Sequence, residues 1–255
     1  MKNLVYFIGA GPGDPDLITV KGRELLKTAD VIIYTGSLVS IKHFKYCKED
    51  MKLYNSAEMT LEEVIGLIEK VHKENKKVIR LHTGDPTIYG AIKEQIDELH
   101  KLNIAYEIIP GVSSFTAAAA AIKREFTLPD VSQTIIISRL KGRTSVPENE
   151  NLERLASIGA SMALFLSVAM IDEVVEKLKK GYNKNVAIAV IQRATWEDEK
   201  SVIGTLDDIV NKIKEAKIDK TAQILVGDFI DCEYKKSLLY DESFSHEYRK
   251  SKGEK

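Results

Sequence analysis

The sequence predicts an α/β fold: two α/β lobes with largely parallel sheets. Three observations carry that expectation. Short apolar runs rich in Val, Ile, Tyr and Phe alternate along the chain with longer amphipathic stretches, the pattern of strand–helix units. Three of the strand-like runs end in a glycine-containing turn: Gly9-Ala10-Gly11-Pro12-Gly13-Asp14, then Gly84-Asp85-Pro86-Thr87-Ile88-Tyr89-Gly90, then Pro110-Gly111-Val112-Ser113-Ser114. Each turn opens into a helix-like run, and an open α/β sheet builds its binding crevice from such turns at strand ends. Finally, 255 residues suffice for two lobes of roughly 110–130 residues each.

The elements follow in order. Residues 4–8, a run of β-formers, predict the first strand. Residues 17–29 carry apolar side chains at 17, 18, 25, 26 and 29 with charges between them, a helix, and 31–34 is the next strand. Residues 60–75 set Leu61, Val64, Ile65, Ile68 and Val71 on one helical face. A strand at 77–81 leads into the second turn and a helix at 88–102 follows it; a strand at 105–109 leads into the third, followed by a helix at 113–123. The five alanines at 117–121 are strong helix formers and let that helix pack closely. Further strands are expected at 134–138, 161–167, 186–191 and 222–226, and helices at 152–158, 171–180 and 206–216. The boundary lies near 113–133, with Pro129 as punctuation. An N-terminal α/β lobe is therefore expected over 1–115, a C-terminal α/β lobe over 116–232, and a polar tail over 233–255 that lies on the surface or against a partner subunit.

Composition narrows the function classes. With 37 basic and 38 acidic residues the formal net charge is −1. No global field favours nucleic acid or an anionic membrane. The longest strongly apolar run, 162–171, is far short of the ~20 residues that cross a bilayer. Two cysteines, Cys47 and Cys232, form no CxxC, which fits a reducing cytoplasm. The histidines at 43, 72, 82, 100 and 246 make no HxxxH or HExxH pattern. His43 and Cys47 stand four apart but lack the further ligands zinc needs, so no metal site is expected.

The first turn invites a dinucleotide reading, which fails on detail. Asp14 stands where the fingerprint needs its third glycine, and no acidic residue ends the second strand. Pro12 and Pro15 also remove backbone donors a pyrophosphate cradle would use. In the second turn Gly84 permits close backbone approach and Pro86 is suited to the start of a helix. Asp85 reads either as a helix N-cap or as a receptor for a cationic or hydroxyl-bearing ligand. In the third, Ser113 and Ser114 present hydroxyls and N–H groups at a helix start, suited to a carboxylate or a ribose; a plain Ser N-cap is the competing reading.

Together with Leu17-Ile18-Thr19-Val20-Lys21-Gly22, these three turns make the chain resemble the tetrapyrrole (corrin/porphyrin) methylase family over roughly residues 3–245. The stretches Thr35-Gly36-Ser37-Leu38-Val39-Ser40, Gly142-Arg143-Thr144-Ser145-Val146-Pro147-Glu148, Gln192-Arg193-Ala194-Thr195-Trp196 and Leu239-Tyr240-Asp241 are similar to the branch that methylates C11 of a precorrin, with or without cobalt. The resemblance implies two α/β lobes with the active site in the cleft between them. It implies S-adenosyl-L-methionine as methyl donor, a tetrapyrrole substrate of vitamin B12 biosynthesis, a homodimer, and a cytoplasmic enzyme with neither nucleic acid nor membrane as partner. Carried over by motif, Pro12, Thr83, Gly84, Asp85, Ile88, Ser113 and Ser114 fall at cofactor-contacting positions, as do Ser167, Ala194 and Thr195. Asp14 and the first loop are expected to face the tetrapyrrole and position it. The substrate's carboxylates make Arg139, Lys141, Arg143 and Arg193 candidate clamps, against the alternative that each is a solvated loop charge. His82 stands where a small residue is usual, a variant without consequence or a ligand contact. Methylases of other precorrin positions, of ribosomal RNA or of diphthamide, and a cofactor-binding module without turnover, stay open on sequence alone.

Overall fold

In a computed structural model, residues 4–182 and 184–251 are described. The chain divides into two units. The first runs to Ala117 and also includes Arg193–Glu199; the second comprises Ala118–Gln192 and the residues from Lys200 on.

The first unit holds five strands, β1 (Val5–Gly9), β2 (Val31–Tyr34), β3 (Lys52–Asn55), β4 (Val78–His82) and β5 (Tyr106–Ile109), in the order β3-β2-β4-β1-β5. Every pairing is parallel. The strands alternate their side chains between two apolar layers, as a sheet covered on both faces requires. Val5, Phe7, Val31, Ile33 and Val78 pack under α2 (Leu61–Lys73) and α3 (Lys93–Lys101), while Ile8, Ile32, Ile79 and Leu81 face Leu26 of α1 (Val20–Leu26). A capping box starts α2: Thr60 Oγ1 accepts the Glu63 N–H and Glu63 accepts the Thr60 N–H. In this strand order the C-terminal ends of β4, β1 and β5 are neighbours, so the three motif turns emerge side by side.

The second unit is built on β6 (Ile135–Arg139), β7 (Ser161–Phe165), β8 (Ala187–Gln192), β9 (Lys200–Thr205) and β10 (Ala222–Val226), in the order β6-β7-β10-β8-β9. One face packs on α5 (Leu152–Ala156), α6 (Ile171–Gly181) and α7 (Ile209–Ala216). The α/β class holds for both units. The expectation of largely parallel sheets holds throughout the first but for only one pairing of the second: β6–β7 is parallel, and β7–β10, β10–β8 and β8–β9 are antiparallel. An apolar run buried on both faces carries no sign of strand direction, and β8 returns as β9 after only seven residues.

Three further differences have local causes. The helix expected at 88–102 begins at Lys93, because Tyr89 (φ 52°) and Ala91 (φ 48°) are left-handed and cannot continue an α-helix. The helix expected at 17–29 is a 3₁₀ turn at Pro15–Leu17 and then α1, which Thr19 caps by accepting the Gly22 N–H. Strands β3 and β9 were not expected; both are sheet edges that mix polar with apolar and exposed with half-buried side chains, so the apolar signal is weak. No helix among the described residues is long and apolar enough to cross a membrane.

Candidate active site

The three motif turns touch one another through their glycines. The Gly84 carbonyl accepts the Gly11 N–H at 3.2 Å and the Gly11 carbonyl accepts the Gly84 N–H at 2.8 Å, a short bridge between the first and second loops. Gly111 of the third loop packs against both: a Cβ there would stand 2.1 Å from the Gly84 carbonyl oxygen and 2.8 Å from Gly9 Cα. The glycines let three backbones meet where any side chain would collide.

Asp85 ties the same loops together by its carboxylate. One oxygen accepts the Thr87 N–H (2.8 Å) and hydroxyl (2.5 Å), and the other accepts the Gly111 N–H (2.9 Å). Asp85 is therefore not the cap of α3, which starts eight residues later at Lys93. Pro86 likewise lies in the loop and not at a helix start. Around Asp85, Thr83 and Ile88 are half-buried. Ser113 is buried and Ser114 opens α4 (Ser114–Ala121). Hydroxyls, a carboxylate and the first turn of a helix are thus gathered at adjacent strand ends.

The backbone of the first loop is held by groups from elsewhere in this unit. His43, fully buried, sets its ring nitrogens 2.8 Å from the Ala10 carbonyl and 2.9 Å from the Ser40 carbonyl. That use replaces the metal-ligand role considered for it beside Cys47. Trp196 Nε1 donates to the buried Pro12's carbonyl at 2.8 Å, and Thr195 Oγ1 accepts the Asp14 N–H at 3.0 Å. With the Gly11 and Asp14 donors engaged and Pro12 having none, the loop is not a phosphate cradle.

Asp14 lines a cavity of about 640 Å³ together with Ser40, Lys42, Arg193, Thr195 and Trp196. Lys42 pairs with Glu197 across its rim. On the same wall, the Tyr46 hydroxyl and the Lys45 ammonium hold the Asp16 carboxyl below its ordinary range. Arg193 is engaged by the Asp198 carboxylate, 2.8 Å from its Nε, and lies 4.0 Å over the Trp196 ring. Ala194 is buried. Trp196, the chain's one tryptophan, follows three predicted site residues in sequence, and that was the only sign of its part in this wall.

Beneath the second loop lies a buried polar pair. The Arg80 guanidinium donates to Gln95 Oε1 (2.8 Å), the Ile33 carbonyl (2.8 Å) and Ser56 Oγ (3.3 Å), all neutral acceptors. Burial pushes it down to about 10, so it stays charged at neutral pH. Gln95 in turn donates to the Ala91 carbonyl at 2.9 Å and so anchors the left-handed end of the loop. His82 is buried next to Phe7, with no hydrogen-bond partner for Nε2 among the described residues. Desolvation, and then the Arg80 charge, push it down to about 3. The unfolded chain binds the proton near pH 6.5 and the folded one does not. Below pH 6.5 the unfolded state gains protons, so stability falls toward pH 3, by at most about 1.4 kcal/mol per pH unit. Melting temperatures measured from pH 7 to 4 are expected to fall less steeply for His82→Leu than for the parent chain; equal slopes would contradict this account.

The second unit carries the remaining predicted positions. Ser167 is fully buried and its hydroxyl is used locally, accepting the Leu140 N–H (2.8 Å) and donating to the Phe165 carbonyl (2.6 Å). Arg139 donates to the Ser145 carbonyl at 2.7 Å and the Thr144 carbonyl at 3.3 Å, closing its own loop. Arg139 and Lys141 line a cavity of about 510 Å³, in which Glu148, Glu150 and Glu173 offset their charge. Arg143 is exposed and outside that lining.

A family model described as Tetrapyrrole (Corrin/Porphyrin) Methylases matches residues 4–210, and the chain belongs to that family. The resemblance read from the three turns is thereby borne out. Within the family, the chain is 56% identical to the cobalt-precorrin-4 C(11)-methyltransferase of Methanocaldococcus jannaschii, an alignment covering 97% of this chain and 96% of that protein. It is 46% identical to the precorrin-4 C(11)-methyltransferase of Pseudomonas aeruginosa, over 96% and 98%. A crystal structure of a cobalt-precorrin-4 methyltransferase superposes with a TM-score of 0.87 at 44% identity, covering 89% of this chain and 96% of that one.

Proposed function

We propose that this protein transfers a methyl group from S-adenosyl-L-methionine to C11 of precorrin-4, in its cobalt-containing or metal-free form, giving the corresponding precorrin-5. The observation that carries the reading is the meeting of the three motif loops at the ends of β1, β4 and β5, in a chain that matches C11-methyltransferases over nearly its whole length.

The donor set fits such a cofactor. Asp85, Thr83, Ser113 and Ser114 supply the carboxylate and hydroxyls that ribose and ammonium groups need, and the first turn of α4 suits a carboxylate. In this reading Pro12, Gly84 and Ile88 shape the remaining wall, with Ala194 and Thr195 set against the first loop. Ser167 keeps its position through its own hydrogen bonds. When bound, the cofactor would supply an already activated methyl, sulfur keeping the electron pair of the S–CH₃ bond and the ring carbon providing the pair for the new one. The residues of this chain then need to align and to exclude water. Holding two reactants at near-attack distance accounts for ~7–11 kcal/mol of such a barrier. Asp14 and Arg193 stand on the cavity beside the first loop, where they orient the macrocycle. Arg139, Lys141 and Arg143 remain candidate carboxylate contacts of the second unit.

The working form in this proposal is a homodimer in the cytoplasm, where both free thiols, Cys47 and Cys232, stay reduced, with neither nucleic acid nor membrane as a partner. Anaerobic incubation with methyl-labelled donor and either form of precorrin-4 tests the reaction. One label per macrocycle in the mass spectrum is expected; cofactor binding without transfer to either would overturn it.

A further inference from the structure

The turn at Arg193–Glu199 grips the first motif loop by its backbone, and one side chain does most of the gripping. A Cβ on Gly13 would stand 2.1 Å from Trp196 Cδ1 and Nε1, so the indole edge occupies the place a side chain at position 13 would take. From that seat Nε1 donates to the Pro12 carbonyl at 2.8 Å, and the neighbouring Thr195 Oγ1 accepts the Asp14 N–H at 3.0 Å. The turn is wound tightly to reach the loop. Arg193 (φ 50°) and Thr195 (φ 72°) are both left-handed, and a β-branched residue in that region is an outlier that persists only where its surroundings hold it. The Arg193 guanidinium lies 4.0 Å over the indole ring, a cation–π contact.

Loop and turn are two walls of the same 640 Å³ cavity. Its lining includes Asp14, Arg193, Thr195 and Trp196; of the positions expected to hold the cofactor it takes in Thr195 but none of Thr83, Asp85, Ser113 and Ser114, so most of it lies beyond the cofactor positions of the second and third loops. We propose that Trp196, seated in the gap left by Gly13, is a positioning residue for the tetrapyrrole: it sets the spacing between the first loop and the Arg193–Glu199 turn, and so the width of the cavity that takes an edge of the macrocycle. The inference rests on the proposed methylation of a tetrapyrrole.

Kinetics and footprinting together test it. Trp196→Phe keeps an aromatic ring but loses the bond to Pro12, and is expected to raise the KM for precorrin-4 roughly tenfold, about one hydrogen bond's worth. Its kcat is expected to stay near that of the parent chain, and its calorimetric affinity for S-adenosylhomocysteine to fall by much less than the precorrin KM rises, because the loop backbone at Pro12 is also held from the second loop through Gly11. Gly13→Ala is expected to raise the same KM further, and Gly13→Ala/Trp196→Leu to recover part of that loss, because the smaller side chain vacates the contested space. Hydroxyl-radical footprinting of the parent chain is expected to show Trp196, the sole tryptophan, protected by precorrin-4 well beyond any protection by S-adenosylhomocysteine. An unchanged precorrin KM in Trp196→Phe, or losses shared equally by cofactor affinity, would overturn the inference, as would an unprotected Trp196. Protection of Trp196 without methyl transfer would instead count against the reaction and leave the positioning role standing.

Discussion

Alanine at position 111 is expected to cost the protein about 3 kcal/mol, the upper end of overpacking penalties, and nearly all of its cofactor affinity. The added methyl would lie 2.1 Å from the Gly84 carbonyl oxygen and 2.8 Å from Gly9 Cα. Both obstacles are backbone, so no side chain can swing away. The Gly84 carbonyl is moreover the acceptor for the Gly11 N–H, and moving it opens the bridge between the first two loops. A loss of that size corresponds to a melting temperature lower by roughly 6–12 °C for a chain of this class of length. Calorimetry on Gly111→Ala checks both quantities. A melting temperature and a cofactor affinity equal to those of the parent chain would mean that the three loops do not meet as described.

Asp85→Ala is expected to weaken S-adenosylhomocysteine binding roughly 100-fold. Its carboxylate accepts three hydrogen bonds, from the Thr87 N–H and hydroxyl and from the Gly111 N–H. Bonds to a charged group contribute about 1.5–3 kcal/mol each, and losing one such bond's worth of loop order at the cofactor already corresponds to a tenfold to hundredfold change. Asp85→Asn, which keeps an acceptor oxygen but no charge, is expected to fall between. Isothermal titration of the three proteins decides the matter. Unchanged affinity in Asp85→Ala would reduce Asp85 to a tie between loops.

Much of this was legible in the sequence, for a physical reason. The first unit is a sheet covered on both faces, and such strands print as continuous apolar runs; residues 4–8, 31–34 and 77–81 predicted β1, β2 and β4 nearly to the residue. The three turns were legible because glycine next to proline or aspartate at a strand end is a strong local signal. What escaped was long-range or directional. Nothing in residues 186–191 tells whether β8 runs with or against its neighbours, and the antiparallel pairings of the second sheet depend on that. The late start of α3 depends on the left-handed Tyr89 and Ala91, residue types with no preference for that conformation. The partnership of Gly13 with Trp196 joins residues 183 positions apart in sequence, and no local pattern carries it. For the site, the sequence offered Asp85 as a helix cap or a ligand receptor, and its bond to the Gly111 N–H could be seen only once the loops were placed in space.

The central claim is the position of the transferred methyl group. Incubating the protein anaerobically with ¹³C-methyl-labelled S-adenosylmethionine and precorrin-4, with and without cobalt, and locating the label by NMR tests it most directly. The account predicts a single new methyl carbon, bonded to C11, on at least one of the two substrates. A label at any other ring carbon, or no label in a sample whose protein binds S-adenosylhomocysteine, would contradict it.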